Sequence, residues 1–167
     1  MSGILPTDSE SGVSASDWNI RPARPGDVGE IAAGVAELLI ELGATPAATN
    51  ALERAARTLI DDREAGALLV ADHEGHTVGL LGASWQFAMR VQSRYGLIQE
   101  LWVHPAWRGQ AIGEDLLVAL YELARERDMK RLEVGLPSPH FRNLGATEAF
   151  YVNNGFEPIG TRMRRLL

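Results

Sequence analysis

Leu97-Ile98-Gln99-Glu100-Leu101-Trp102-Val103-His104-Pro105-Ala106-Trp107-Arg108-Gly109-Gln110-Ala111-Ile112-Gly113 is the stretch that decides the fold. Its first part continues an apolar, strand-like run from Tyr95 to His104. Pro105 stops that run, because proline donates no ladder hydrogen bond. A glycine-bearing loop follows. Ile112, Leu116, Leu117, Leu120, Leu123 and Ala124 then recur at helical spacing up to about Asp128. Glu114 and Asp115 stand in the first turn and Arg125 and Arg127 in the last, matching the helix dipole. Strand, short loop and helix start together bring a row of backbone N–H groups to the positive end of a dipole. Such a place binds a phosphate-bearing ligand. Gly109 and Gly113 let the backbone turn tightly, and Arg108 adds a cation. The loop also reads as an ordinary strand-to-helix turn. It is not a P-loop, which needs Gly-Lys-Ser or Gly-Lys-Thr, and no G-x-G-x-x-G fingerprint opens a βαβ unit.

Working outward, Trp18–Arg24 predicts a first strand, punctuated by Pro25-Gly26-Asp27. Asp27 predicts an N-cap with Glu30 as its capping-box partner. Val28, Ile31, Ala32, Val35, Leu38, Leu39 and Leu42 then follow at helical spacing, with Gly43 as the stop. A second helix is expected over Ala48–Asp61. Ala67–Asp72 and Thr77–Phe87 predict a hairpin around Glu74-Gly75. Arg131–Leu136 reads as a further strand, Ala146–Asn153 as a helix ending at Gly155, and Phe156–Leu167 as one or two closing strands. The order predicts one mixed α/β domain over residues 18–167. Met1–Asp17, rich in Ser, Gly and Asp, reads as a flexible N-terminal tail.

The 167 residues suffice for one domain with a real core. Their composition, 46% hydrophobic and 23% charged, is that of a soluble globular protein. No apolar run approaches a membrane span and no secretory signal is legible, so a cytoplasmic location without a membrane partner is expected. The chain has no cysteine, which excludes disulfides, thiolate metal sites and a cysteine nucleophile. The net charge of −6 disfavours nucleic acid as a partner and favours cationic ligands; it also serves solubility.

The segment from Leu97 to Gly113 resembles the signature of the GNAT acetyltransferase superfamily: Gln or Arg, two residues, Gly, one residue, then Gly or Ala, after an apolar strand. Ile20-Arg21-Pro22-Ala23 followed by Asp27 resembles the family's first strand and helix start. Ala149-Phe150-Tyr151-Val152-Asn153-Asn154-Gly155-Phe156 resembles its late helix. The resemblance implies a single-domain GNAT-like fold, a mixed and mostly antiparallel sheet flanked by helices. It implies acetyl-CoA, or another acyl-CoA, as co-substrate; no metal is expected, because no carboxylate spacing supports a metal pair at His73 and His76. Backbone groups of Arg108, Gly109, Gln110, Ala111, Ile112 and Gly113 would hold the pyrophosphate. Leu101, Trp102 and Val103 would pair with the pantetheine arm like an added strand. Asn143 resembles the asparagine that contacts that arm, one residue further from Tyr151 than the pattern has it. One departure is Ala111, standing where the signature has its middle glycine. Alanine disfavours positive φ, so the loop is expected to be αR or extended there, with weaker or displaced pyrophosphate contact.

Acetyl transfer to an amine requires a base for the ammonium, polarisation of the thioester carbonyl and an acid for the departing thiolate. Tyr151 matches the family's acid, since a phenol stays protonated at neutral pH; it also reads as a core tyrosine. Glu100 is the candidate base, directly or through a water, and also reads as an exposed or ion-paired carboxylate. Strand alternation puts Ile98, Glu100 and Trp102 on one face. Trp85-Gln86-Phe87 is a candidate wall of the acceptor pocket, and Trp85, Trp102 and Trp107 read as core or rim. His73 and His76 flank a turn, His104 ends a strand, and His140 lies in a Pro-rich loop near the expected site. Arg162, Arg164 and Arg165 read as a solvated strand face.

The expected reaction is direct acetyl transfer from acetyl-CoA to a small cationic primary amine. The alternatives are transfer to a protein or peptide amine, and a non-catalytic acyl-CoA sensor. The resemblance further implies that homodimers are common, although no apolar stripe specifies an interface.

Overall fold

The computed structural model describes residues 17–160 and residue 165. Among them, strand β1 (Asn19–Pro22) leads through a short 3-10 turn at Pro25–Asp27 into helix α1 (Val28–Glu41), followed by α2 (Thr49–Asp61). Strands β2 (Gly66–His73), β3 (His76–Ala88) and β4 (Ser93–Val103) follow, then α3 (Ile112–Glu126), β5 (Leu132–Val134) and α4 (Leu144–Asn153). The five described strands form one sheet in the order β1-β2-β3-β4-β5. The first four pair antiparallel, whereas β4 and β5 run parallel. The sheet is therefore mixed and mostly antiparallel, as expected.

Sequence chemistry explains the local geometry. Glu74 and Gly75, between β2 and β3, both have positive φ, as a two-residue hairpin turn of the matching twist requires. On one sheet face Leu69, Leu81, Ala83, Trp85 and Ile98 pack against the α3 stripe of Ile112, Leu116, Leu117 and Leu120. On the other, Leu68, Val70, Leu80 and Trp102 pack against Val28 and Ile31 of α1 and Ala56 of α2. Gly34 allows α1 to lie against Trp102: a Cβ there would come within 2.8 Å of the indole.

The register of β4 against β3 shifts between Gly82 and Ala83, which pair with Glu100 and Ile98. Gln99 is left as the extra residue of a β-bulge. The bulge corrects the expected alternation. Ile98 faces α3 with its partner Ala83, whereas Glu100 and Trp102 share the α1–α2 face with Gly82 and Leu80.

The expected capping box at α1 is absent. The Asp27 carboxylate accepts from both terminal nitrogens of Arg21, at 2.7 and 2.9 Å, and from the Arg24 N–H at 2.7 Å. Arg21 also binds Asp72 on β2. Glu30 reaches across to β3, accepting from the Thr77 N–H at 2.6 Å and pairing with His76 Nδ1 at 2.9 Å. Asp27 thus caps one turn earlier, on the Arg24 N–H, and Glu30 takes partners distant in sequence.

The first strand is shorter than expected, ending at Pro22. The last helix begins at Leu144 rather than Ala146. Of the expected closing strands, residues 156–160 form none. Residues 161–164, 166 and 167 lie outside the described residues, and with them Arg162 and Arg164 of the expected strand face. Of the expected tail, only Asp17 is described.

Candidate active site

Only Gly96–Ile98 of β4 pair with Leu132–Val134 of β5. Beyond Ile98 the two parallel strands part, and among the described residues β4 has no strand partner on that side from Gln99 to Val103. The His104 N–H donates to the Val78 carbonyl on β3 at 2.9 Å. Alternation along an antiparallel ladder then turns the main-chain groups of Trp102 toward β3 and those of Leu101 and Val103 toward the gap. Of the three residues expected to offer backbone groups there, Trp102 is directed elsewhere, and its side chain is buried against α1. The Val103 carbonyl accepts from Arg108 Nε at 2.9 Å. Leu101 is left facing the gap with its amide and carbonyl.

The loop from Arg108 to Gly113 sits where β4 hands the chain to α3. Among the described residues, the amides of Gly109 through Glu114 find no hydrogen-bond partner. Six such N–H groups in succession at a helix N-terminus have the chemistry of an anion nest. Gly109 has φ +77°. Ala111, at the N-cap of α3, has φ +69° and ψ +10°. This overturns the expected αR or extended backbone: the loop keeps a left-handed residue although its side chain is a methyl. The Ala111 carbonyl accepts from the Asp115 N–H at 3.0 Å, and this first closed turn of α3 helps to hold the conformation. The Arg108 guanidinium is not directed at the nest. It binds Glu41 at the end of α1 at 2.6 Å, besides the Val103 carbonyl, and so ties the loop to α1 and β4.

Two titratable groups stand on opposite faces of the sheet. Glu100 is half-buried on the α1–α2 face and has no hydrogen bond or ion pair among the described residues. Burial alone pushes its carboxyl up to about 7, because removing water disfavours the anion. Gly82, directly opposite on β3, makes the space: a Cβ there would collide with Glu100 Oε2. Tyr151 of α4 belongs to the α3-side core, its ring between Phe150 and Phe156 at centroid distances of 5.2 and 5.3 Å. Burial, with nearby Tyr121 second, pushes its phenol up to about 12. The Tyr151 hydroxyl has no hydrogen bond among the described residues, whereas Tyr121 donates to the Asn154 carbonyl at 3.0 Å. Asn143 stands exposed at the N-cap of α4, its side chain making no cap hydrogen bond.

The structure adds residues that sequence reasoning missed. Ser84, on the same face as Gly82, accepts from Gln86 Nε2 and from the bulged Gln99 Nε2, both at 2.9 Å. The expected Trp85-Gln86-Phe87 wall divides. Gln86 joins the Glu100 face, Trp85 is buried toward α3, and Phe87 is exposed. The histidines stay outside this arrangement. His73 packs on Trp107 at 4.5 Å, His104 Nδ1 accepts from the Ala106 N–H, and His140 is exposed. No cluster among the described residues has the composition of a metal site. No described helix is long and apolar enough to cross a membrane.

Comparison with known proteins agrees with this geometry. Residues 64–158, more than half of the chain, match the model of the acetyltransferase (GNAT) domain. The match takes in Glu100, the nest and Tyr151. An uncharacterized N-acetyltransferase of Archaeoglobus fulgidus is 32% identical over 82 residues, 48% of this chain and 55% of that protein. The chain thus spans about half the length of that curated relative. Among solved structures, a predicted acetyltransferase from Clostridium acetobutylicum with acetyl-CoA superposes with a TM-score of 0.70 at 18% identity, over 89% of this chain and 96% of that one. An acetyltransferase from Trypanosoma brucei gives 0.69 at 22% identity, over 90% and 99%. At these identities the two structures speak for the fold. The family match, the split sheet and the amide nest lead to one conclusion: the chain belongs to the GNAT acetyltransferase family.

Proposed function

We propose that the protein is an N-acetyltransferase that uses acetyl-CoA and a primary amine. The observation that carries this reading is the six-amide nest at the mouth of the β4–β5 gap, with an unpartnered carboxyl on one face and an unpartnered phenol on the other. The nest suits a diphosphate, and the free edge at Leu101 suits an amide-rich arm lying along β4. When bound, acetyl-CoA supplies an acetyl group activated as a thioester.

The residues of the chain do the rest. Glu100 attracts the incoming ammonium and takes a proton from it, which its elevated pKa fits it to do near neutrality. The nitrogen–carbon bond forms as the carbon–sulfur bond breaks. Tyr151 gives its proton to the sulfur and is reprotonated from solvent. Of the two protons the ammonium loses, one is balanced by the new thiol and one is released. No acyl-enzyme step is needed, consistent with the lack of cysteine. The acceptor enters on the Glu100 face as a cationic monoamine.

The test is thiol release from acetyl-CoA with a panel of amines, beside thermal unfolding with acetyl-CoA alone. Acetyl-CoA at about 100 times its Kd is expected to add about 2.7 kcal/mol of stability. Amine-dependent thiol release supports the enzyme. Stabilisation without thiol release from any amine leaves a binding module and overturns it.

A further inference from the structure

The sheet face that carries Glu100 also carries a small polar platform. Ser84 Oγ accepts N–H groups from Gln86 and Gln99. Among the described residues this leaves the Ser84 hydroxyl proton and both glutamine carbonyl oxygens without partners. Ser84 and Gln86 are half-buried and Gln99 is exposed, so all three are reachable. The platform thus offers one O–H donor and two carbonyl acceptors, the complement of an amide's C=O and N–H.

Charge narrows the ligand further. The other strand carboxylates on this face are Asp72 of β2, held by Arg21, and Glu133 of β5, register partner of Leu97, which in turn pairs with Ser84. Glu133 is buried and held by Arg90 at 3.0 Å and Arg131 at 3.5 Å. Among the described strand residues of this face, Glu100 is then the carboxyl left for an ammonium. Spacing agrees. Ser84 lies two residues along β3 from Gly82, the register partner of Glu100, or about 7 Å. An amine and a carbonyl on adjacent carbons, each with one hydrogen bond, span a similar length.

We infer that the acceptor is a primary amine with an amide on the adjacent carbon, an aminoacyl group, and that Ser84, Gln86 and Gln99 recognise that amide. This rests on the acetyl-transfer reading above and narrows its substrate. A polyamine, which has donors only, would leave the Ser84 proton unmatched.

The experiment uses the full chain, acetyl-CoA and four acceptors: alaninamide, an alanyl tripeptide, 1,2-dimethylpropylamine (the carbonyl-free isostere of alaninamide) and spermidine. The aminoacyl acceptors are expected to be preferred. Ser84→Ala and Gln99→Ala are each expected to lower kcat/KM about tenfold more for alaninamide than for the isostere. Comparing variant with wild type on one acceptor cancels differences in amine basicity. A tripeptide used better than alaninamide identifies a polypeptide N-terminus, and the reverse a free aminoacyl compound; both support the inference. Equal losses on both acceptors in the two variants overturn it, as does a preference for spermidine. Transfer to carbonyl-free amines without discrimination overturns this inference alone. Transfer to none of the four overturns it together with the activity.

Discussion

The carboxylate of Glu100 occupies the space that a side chain at Gly82 would fill. Neither residue is informative by itself: an acid in a strand and a glycine in its neighbour are both common. Together they show that β3 yields volume so that a carboxyl can lie half-buried without an ionic partner. We expect Gly82→Ala to push the carboxyl toward solvent and lower its pKa. Turnover is predicted to fall about 100-fold, the order of a lost general base. The rise of rate with pH centred near 7 should move to lower pH. Acetyl-CoA affinity, set at the loop after β4, should hold. A pH–rate profile with a binding isotherm checks both.

Glu100 also makes a thermodynamic prediction whose sign is fixed. Its folded pKa, about 7, lies above the ordinary value of 4.5. The folded state therefore binds the proton more tightly, and the resulting stability is fully present below about pH 4.5. It is lost progressively as pH rises through 7. Glu100→Gln removes the ionisation. The variant is predicted to melt higher than wild type at pH 8, with the gain shrinking toward pH 4, while acetyl transfer falls. Equal Tm differences at the two pH values would contradict the assigned burial effect.

Tyr151→Phe keeps the ring between Phe150 and Phe156 and removes only the hydroxyl. The expected outcome is a kcat lower by about 100-fold, acetyl-CoA affinity retained and little change in stability. Thiol-release kinetics with equilibrium binding separate this from a purely structural role, in which kcat would be unaffected.

Ala111 holds a backbone conformation that costs an L-residue about 1–2 kcal/mol. Ala111→Gly relieves that strain but adds freedom to the unfolded chain, so a net gain of about 0.5–1 kcal/mol is expected, read as a higher Tm. Affinity for acetyl-CoA should be retained, because the nest is made of main-chain N–H groups. Ala111→Val, β-branched at positive φ, should lower both.

The α3 stripe, the Glu74-Gly75 hairpin and the glycine loop were legible because periodicity and turn chemistry are local properties. Tyr151 was singled out by the resemblance of its helix, and Glu100 by being an acid inside an apolar strand. What could not be read was the bulge at Gln99. No residue type announces an extra rung, and one residue of slip moves Ile98 to the opposite face from Glu100. The Ser84–Gln86–Gln99 cluster depends on that slip and stayed hidden with it. Asp27 and Glu30 misled for a related reason: their spacing fits a local cap, but Arg21, His76 and Thr77 arrive from elsewhere in the fold and bind them instead. At Ala111 side-chain preference argued against a positive φ, and the geometry needed to start α3 prevailed.

The three-residue ladder between Gly96–Ile98 and Leu132–Val134 is a short seam for a domain of this size. Among the described residues after α3, β5 joins the sheet along it, while α4 docks on the α3 side through Tyr151 and the Tyr121–Asn154 hydrogen bond. A molecule seated in the gap would act as further stitching, lengthening the seam with its own amide groups. Hydrogen exchange of the amides in β5 and α4 should accordingly slow when acetyl-CoA is added, while the amides of β1, at the opposite edge of the sheet, keep their native rate.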